Sequence, residues 1–123
     1  MKIIHTTDAP AAVGPYSQAV VSGGMVYTAG QVALDPASGA MVGTDVTAQA
    51  HQVMKNLTAV LGAAGSGLDK AVKTTCFLAD MDDFAAFNAV YAEYFPNKPA
   101  RSCVAVKTLP KGALCEVEVI AEV

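Results

Sequence analysis

The spacing of apolar residues changes abruptly at Asp45, and that change restricts the chain to an architecture that mixes helix with strand. From Val46 onward, Ala50, Val53, Met54, Leu57, Val60, Leu61 and Ala64 recur at intervals of three and four, the spacing of one helical face. Before and after this stretch apolar residues alternate or gather in short runs. The pattern predicts a helix capped at its N-terminus by Thr44 or Asp45 and closed at its C-terminus by Gly65. His51 falls off the apolar stripe and is expected in solvent.

The flanking segments read as strands and one further helix. Ala19-Val20-Val21 and Met25-Val26-Tyr27-Thr28 surround Gly23-Gly24, the paired glycines of a tight hairpin turn, and Asp35-Pro36-Ala37-Ser38-Gly39 is a second turn. Lys70 to Leu78 is rich in β-branched and apolar residues and is expected as a strand. A second helix should start near Asp82 or Asp83, bury Phe84, Phe87, Tyr91 and Tyr94, and stop at Pro96. Two strands joined through Leu109-Pro110-Lys111-Gly112 complete the chain.

In the last strand Cys115, Val117, Val119, Ala121 and Val123 share the face expected against the helices, with Glu116, Glu118, Ile120 and Glu122 on the other. A hairpin centred on Pro110-Lys111 would pair Ala105 or its neighbours with Glu116. The whole reads as an α+β sandwich, one domain over residues 1–123, with both helices on one sheet face. The uncovered face, mixing glutamates with Leu114 and Ile120, suits partial burial by other subunits.

Composition adds limits. Apolar residues make up 53% of the chain, more than a domain of 123 residues can hide, so a homo-oligomer is expected. The net charge is −3 and the eight Lys and Arg residues are dispersed, which gives nucleic acid no basic groove. No apolar run is long enough to span a bilayer, and Met1 to Asp8 lacks the apolar core of a signal peptide, so a cytoplasmic protein is expected. Three widely spaced cysteines argue against a disulfide framework or a Cys-x-x-Cys metal site; Cys76 and Cys115 read as buried thiols.

The residues able to carry chemistry are few: Arg101 and Glu116 on the last two strands, Tyr16 beside Pro15, Asn88 on the second helix, Ala29-Gly30-Gln31 at a strand end, and Cys103 two residues beyond Arg101. An arginine opening an apolar strand can grip a carboxylate with two parallel hydrogen bonds, or can be an ordinary ion-pair partner. Glu116 can orient or deprotonate water, or be merely solvated. Spacing leaves both choices open, and a site using both residues would draw on two subunits. With only His5 and His51, and no Gly-x-x-x-x-Gly-Lys loop, a histidine zinc site, a serine triad and a nucleotide loop are all disfavoured; metal-free, cofactor-free chemistry is expected.

Several segments carry a resemblance: the run Ala9 to Gln18, Ala29-Gly30-Gln31, the run Val72 to Phe84, Asn88, Pro99-Ala100-Arg101-Ser102-Cys103, and Leu109-Pro110-Lys111-Gly112-Ala113 followed by Glu116-Val117-Glu118. In this order they resemble the RidA (YjgF) family over essentially the whole chain. The resemblance implies a chorismate-mutase-like α+β fold, with a mixed sheet and two helices on one face. It also implies a homotrimer whose sheets form a central barrel, with clefts between neighbouring subunits.

The implied activity is that of a 2-iminobutanoate/2-iminopropanoate deaminase, which hydrolyses 2-imino acids to 2-keto acids and ammonia. By position, Arg101 would hold the substrate carboxylate and Glu116 would hold or activate water. Tyr16 and Asn88 would line the cleft, and Gly30 and Cys103 would act largely through backbone groups. The chain departs from the family in Ala29, where many members carry serine; the missing hydroxyl removes a contact worth about 0.5–1.5 kcal/mol. A regulatory relative that binds small carboxylates without turnover is one alternative, and an endoribonuclease or translation inhibitor, which the acidic charge opposes, is another. Cys103 as a nucleophile lacks a neighbouring histidine to form its thiolate.

Overall fold

In the computed structural model, which describes residues 1–123 throughout, the central apolar stripe forms helix α1, Val46–Ala63. Asp45 is its cap: the side-chain Oδ1 accepts the Ala48 N–H at 2.8 Å. At the other end the Ser66 N–H bonds Leu61 O at 2.9 Å and the Gly65 N–H bonds Gly62 O at 3.0 Å, closing the helix in a Schellman turn. Val53, Met54, Leu57, Val60 and Leu61 are fully buried along the stripe.

Six strands form one sheet in the order β1-β2-β3-β6-β4-β5: β1 Lys2–Ile4, β2 Ala19–Ser22, β3 Met25–Thr28, β4 Ala71–Leu78, β5 Ala100–Ala105 and β6 Cys115–Glu122. Gly23 and Gly24 have φ of 61° and 77°, the positive pair required by the tight turn between β2 and β3. Helix α2, Phe84–Tyr94, links β4 to β5, and those two strands run parallel, as a helical crossover requires.

This topology corrects the expected final hairpin. β5 and β6 are neighbours in sequence but not in the sheet, because β4 lies between them. The 106–114 connection passes over the end of β4: Val106 N–H bonds Leu78 O at 2.9 Å, and Ala79 N–H bonds Leu114 O at 3.0 Å. Glu116 is therefore paired with Phe77, and Ala105 with Leu78, rather than with each other.

Both helices cover one sheet face. Thr74, Cys76 and Leu78 of β4 and Cys115, Val117, Val119 and Ala121 of β6 are buried beneath them, as the alternation of β6 predicts. Val123 is the exception at 49% exposure, since it lies beyond the end of the strand. Burial pushes the Cys76 and Cys115 thiols up to about 12. The opposite face, carrying Thr75, Phe77, Glu116, Glu118 and Ile120, has no covering layer.

Helix α2 is the least faithful to its sequence pattern. Phe87 and Tyr91 are buried as expected, together with Val90, but Phe84 and Tyr94 are only half-buried. The Tyr94 hydroxyl sits 2.8 Å from Nδ1 of His51, so His51 is drawn into the α1–α2 contact and not left wholly in solvent. No helix is long and apolar enough to cross a membrane.

Candidate functional site

Arg101 is set by β5. Its Cα pairs with that of Thr74, a buried position on β4, so its side chain lies on the helix-covered face at the sheet edge. There it meets α2. Nη1 donates to Oδ1 of Asn88 at 2.6 Å, and the guanidinium carbon lies 4.6 Å from the centre of the Tyr91 ring and 5.5 Å from that of Phe84. Asn88 and Tyr91 are three residues apart, which puts both on one helix face.

Tyr91 is itself locked, with its hydroxyl 2.7 Å from Oγ1 of Thr74 and its ring stacked on Phe95 at 4.5 Å. Arg101 is thus held by one neutral acceptor and two aromatic faces. The one contact of a basic side chain with a carboxylate is His51–Glu93 at 3.9 Å, and no carboxylate lies within 4 Å of Arg101. Within one subunit Arg101 therefore has no ion-pair partner. The guanidinium borders an open cavity of about 500 Å³, lined also by Asn88, Tyr91, Phe95, Lys98 and Pro99. Sequence reasoning assigned Tyr91 and Phe84 to the core; the helical spacing from Asn88 to Tyr91 was the available sign of their second role.

Cys103 follows Arg101 on the same face, opposite Cys76. Burial raises its thiol above the ordinary value, against the pull of Arg101. His51, which could have served as a base, is engaged with Tyr94 and Glu93. A protonated thiol without a base is a poor nucleophile.

The remaining candidates assemble elsewhere. After β3 the chain rejoins β6 at Gln31, whose N–H and C=O bond Val117 at 2.9 and 3.1 Å. Three residues lie between Tyr27 and Gln31 while only two lie between their partners Ile120 and Val117, so one extra residue bulges between them. Gly30 lies in that bulge, pressed against the Glu116 carboxylate: a Cβ there would overlap Oε2. Burial, and then the nearby Glu118, raise the Glu116 carboxyl above its ordinary value.

Tyr16 lies beside Gly30 and Gln31 around a small recess of about 60 Å³. The segment leading to it is strapped by buried Gln18, whose Nε2 donates to Pro10 O at 2.8 Å and Thr6 O at 3.0 Å, and whose Oε1 accepts the Thr6 N–H at 2.7 Å. Asn56 of α1 anchors the following loop by donating to Val32 O at 3.1 Å and Leu34 O at 3.0 Å.

The six candidates therefore form two groups. Arg101, Asn88 and Cys103 gather on the helix side of the β5 edge, whereas Glu116, Gly30 and Tyr16 gather at the β3–β6 bulge. Arg101 and Glu116 project from opposite sheet faces, so one subunit does not bring them to a common ligand.

The sequence model of the family described as Endoribonuclease L-PSP matches residues 6–123. The mouse protein named 2-iminobutanoate/2-iminopropanoate deaminase is 50% identical over 121 residues, covering 98% of this chain and 90% of that one. A solved structure of a Yersinia pestis protein of the conserved Rid family superimposes with a TM-score of 0.96 at 48% identity, over 99% and 98% of the two chains. E. coli TdcF with bound serine gives 0.94 at 42% identity, over 100% and 99%.

Proposed function

This chain belongs to the Endoribonuclease L-PSP family, the RidA (YjgF) family, and from that premise we propose that it hydrolyses reactive 2-imino acids to 2-keto acids and ammonia. The observation that carries the proposal is Arg101: a half-buried guanidinium, fixed by Asn88 and Tyr91 at a cavity edge, with no carboxylate of its own. Such a group is complementary to a planar carboxylate, which accepts two parallel hydrogen bonds from it. A relative that holds serine, TdcF, and one named as an imine deaminase agree with a small amino-acid-like ligand.

The reaction needs little beyond orientation. A protonated 2-imino acid is electrophilic at the carbon bearing nitrogen. With the carboxylate held on Arg101, that carbon faces a water positioned by Glu116. Water adds to the carbon, the C=N pair moves to nitrogen, and the water's proton passes to Glu116. Returning the proton to nitrogen makes ammonia the leaving group; as the C–N bond breaks, an oxygen electron pair forms the C=O and the remaining hydroxyl proton passes to Glu116 and on to solvent, releasing ammonia and the 2-keto acid. A carboxyl raised above its ordinary value by burial holds a proton more readily than a solvated glutamate, which suits it to taking and returning one. Asn88 holds the guanidinium, Cys103 and Gly30 offer backbone groups, and Tyr16 lines the recess beside Gly30.

Because the two groups of residues face different ways, the proposal includes an oligomer in which Arg101 of one subunit meets Glu116 of the next. β5 is an edge strand with Val104 46% exposed, and Tyr27 is 42% exposed on β3; an unpaired edge beside an uncovered sheet face favours assembly. A homotrimer with three intersubunit clefts, working in the cytoplasm without a cofactor, is the form we propose. Cleavage of RNA finds no basic groove on a chain of net charge −3.

The test is the decay of freshly generated 2-iminobutanoate with wild-type protein and with Arg101→Ala, whose secondary structure and assembly are checked in parallel. Accelerated decay that is lost in Arg101→Ala supports the reading. Wild-type protein no faster than buffer contradicts it, and 2-keto acid binding without turnover would identify a binding protein instead.

A further inference from the structure

The cavity beside Arg101 is larger and more cationic than a small imino acid needs. On a single subunit this open cavity measures about 500 Å³, within the roughly 300–1,000 Å³ that holds drug-sized ligands. A 2-imino acid with a methyl or ethyl side chain fills a fraction of that. The lining contains two cations, Arg101 and Lys98, and no acidic residue. Neither cation has a carboxylate within 4 Å.

Lys98 also stands in an unusual backbone conformation. Its φ is 55°, one of two positive values at non-glycine residues in the chain, and it immediately precedes Pro99. A β-carbon makes this region unfavourable, and such positions persist where the surroundings impose them. Here the Lys98 N–H bonds Phe95 O at 3.2 Å just past the end of α2, and Pro99 leads directly into β5 and Arg101. The turn presents an exposed lysine at the rim of the cavity that Arg101 borders.

We propose that Lys98 is a specificity-determining residue that supplies a second cationic contact, so that the cleft favours 2-imino acids whose side chain ends in a carboxylate. This rests on the functional reading above. Arg101 takes the carboxylate next to the imine carbon, and the side chain extends into the cavity toward Lys98. Tyr91 and Phe95 also line this cavity and offer apolar surface to the chain of such a side chain. The chemistry at the imine carbon is unchanged; the inference concerns only which side chains are preferred.

The experiment compares imines released by amino-acid oxidases from aspartate and glutamate with those from alanine and leucine. The readout is the ratio of kcat/KM for dicarboxylic over monocarboxylic imines, in the assembled wild type, Lys98→Gln and Lys98→Arg. The wild type is expected to favour the dicarboxylic imines. Lys98→Gln should lower the ratio about fivefold, the upper end for an exposed ion pair, and Lys98→Arg should restore it. The wild-type ratio should also fall as salt is raised.

A ratio that is the same in wild type and Lys98→Gln, and insensitive to salt, overturns the proposal while leaving imine hydrolysis standing. Should the wild type hydrolyse no imine at all, the functional reading fails. Equilibrium binding of 2-oxoglutarate against pyruvate then reads the Lys98 preference alone, and equal affinities there would overturn it.

Discussion

Arg101 and Glu116 point from opposite faces of one sheet, although only strand β4 separates the strands that carry them. The first pairs with buried Thr74 beneath the helices, the second with Phe77 on the open side. Each has its own surroundings, Asn88 and Tyr91 for the arginine, Gly30 and the β3–β6 bulge for the glutamate. This separation is what turns a list of polar residues into two half-sites.

Asn88 accepts from Arg101 at 2.6 Å without neutralising it, which leaves the positive charge for a ligand. Asn88→Asp keeps the shape and adds an internal carboxylate that competes with the ligand. Affinity for 2-keto acids, measured by calorimetry, should fall about tenfold or more, in line with hydrogen bonds to charged groups. Undiminished affinity would mean that Arg101 does not bind the carboxylate.

At Gly30 the limit is space rather than backbone freedom, since an added Cβ would meet the Glu116 carboxylate. Gly30→Ala should therefore displace Glu116 and lower kcat by at least about tenfold, the order expected when a reacting group is misplaced. The β3–β6 pairing at Gln31 should survive, as judged by unchanged circular dichroism.

Glu116 is protonated more readily when folded than when unfolded, because burial raises its carboxyl. A raised carboxyl means that the native state binds more protons than the unfolded one over the window between the two values. Stability is then lost as pH rises from the ordinary glutamate value through the folded one, and the deficit persists above it. Glu116→Gln removes this penalty. Its Tm should exceed that of the wild type at neutral pH, and the gap should close in acid; a lower Tm at neutral pH would contradict the assignment.

Much of this could be seen in the amino-acid sequence, and the rest could not for definable reasons. Helix α1 was plain because its eight apolar positions and Asp45 cap agree locally, and β6 because its odd-numbered residues alternate cleanly. The β4–β5 pairing is parallel and carried through α2, so no local spacing records it, and sequence adjacency suggested a hairpin between β5 and β6 instead. Arg101 and Glu116 were individually visible, yet periodicity was silent on their partners. Tyr91 was hidden because the spacing that buries it also sets it under Arg101.

A shared site between subunits is tested most directly by complementation. Arg101→Ala and Glu116→Ala chains, unfolded together and reassembled, should regain imine hydrolysis that neither has when assembled alone. With random mixing roughly a quarter of the clefts receive both intact residues, which sets the expected recovery. Activity of the mixture no higher than the average of the two separate variants would contradict a site built from Arg101 of one subunit and Glu116 of another.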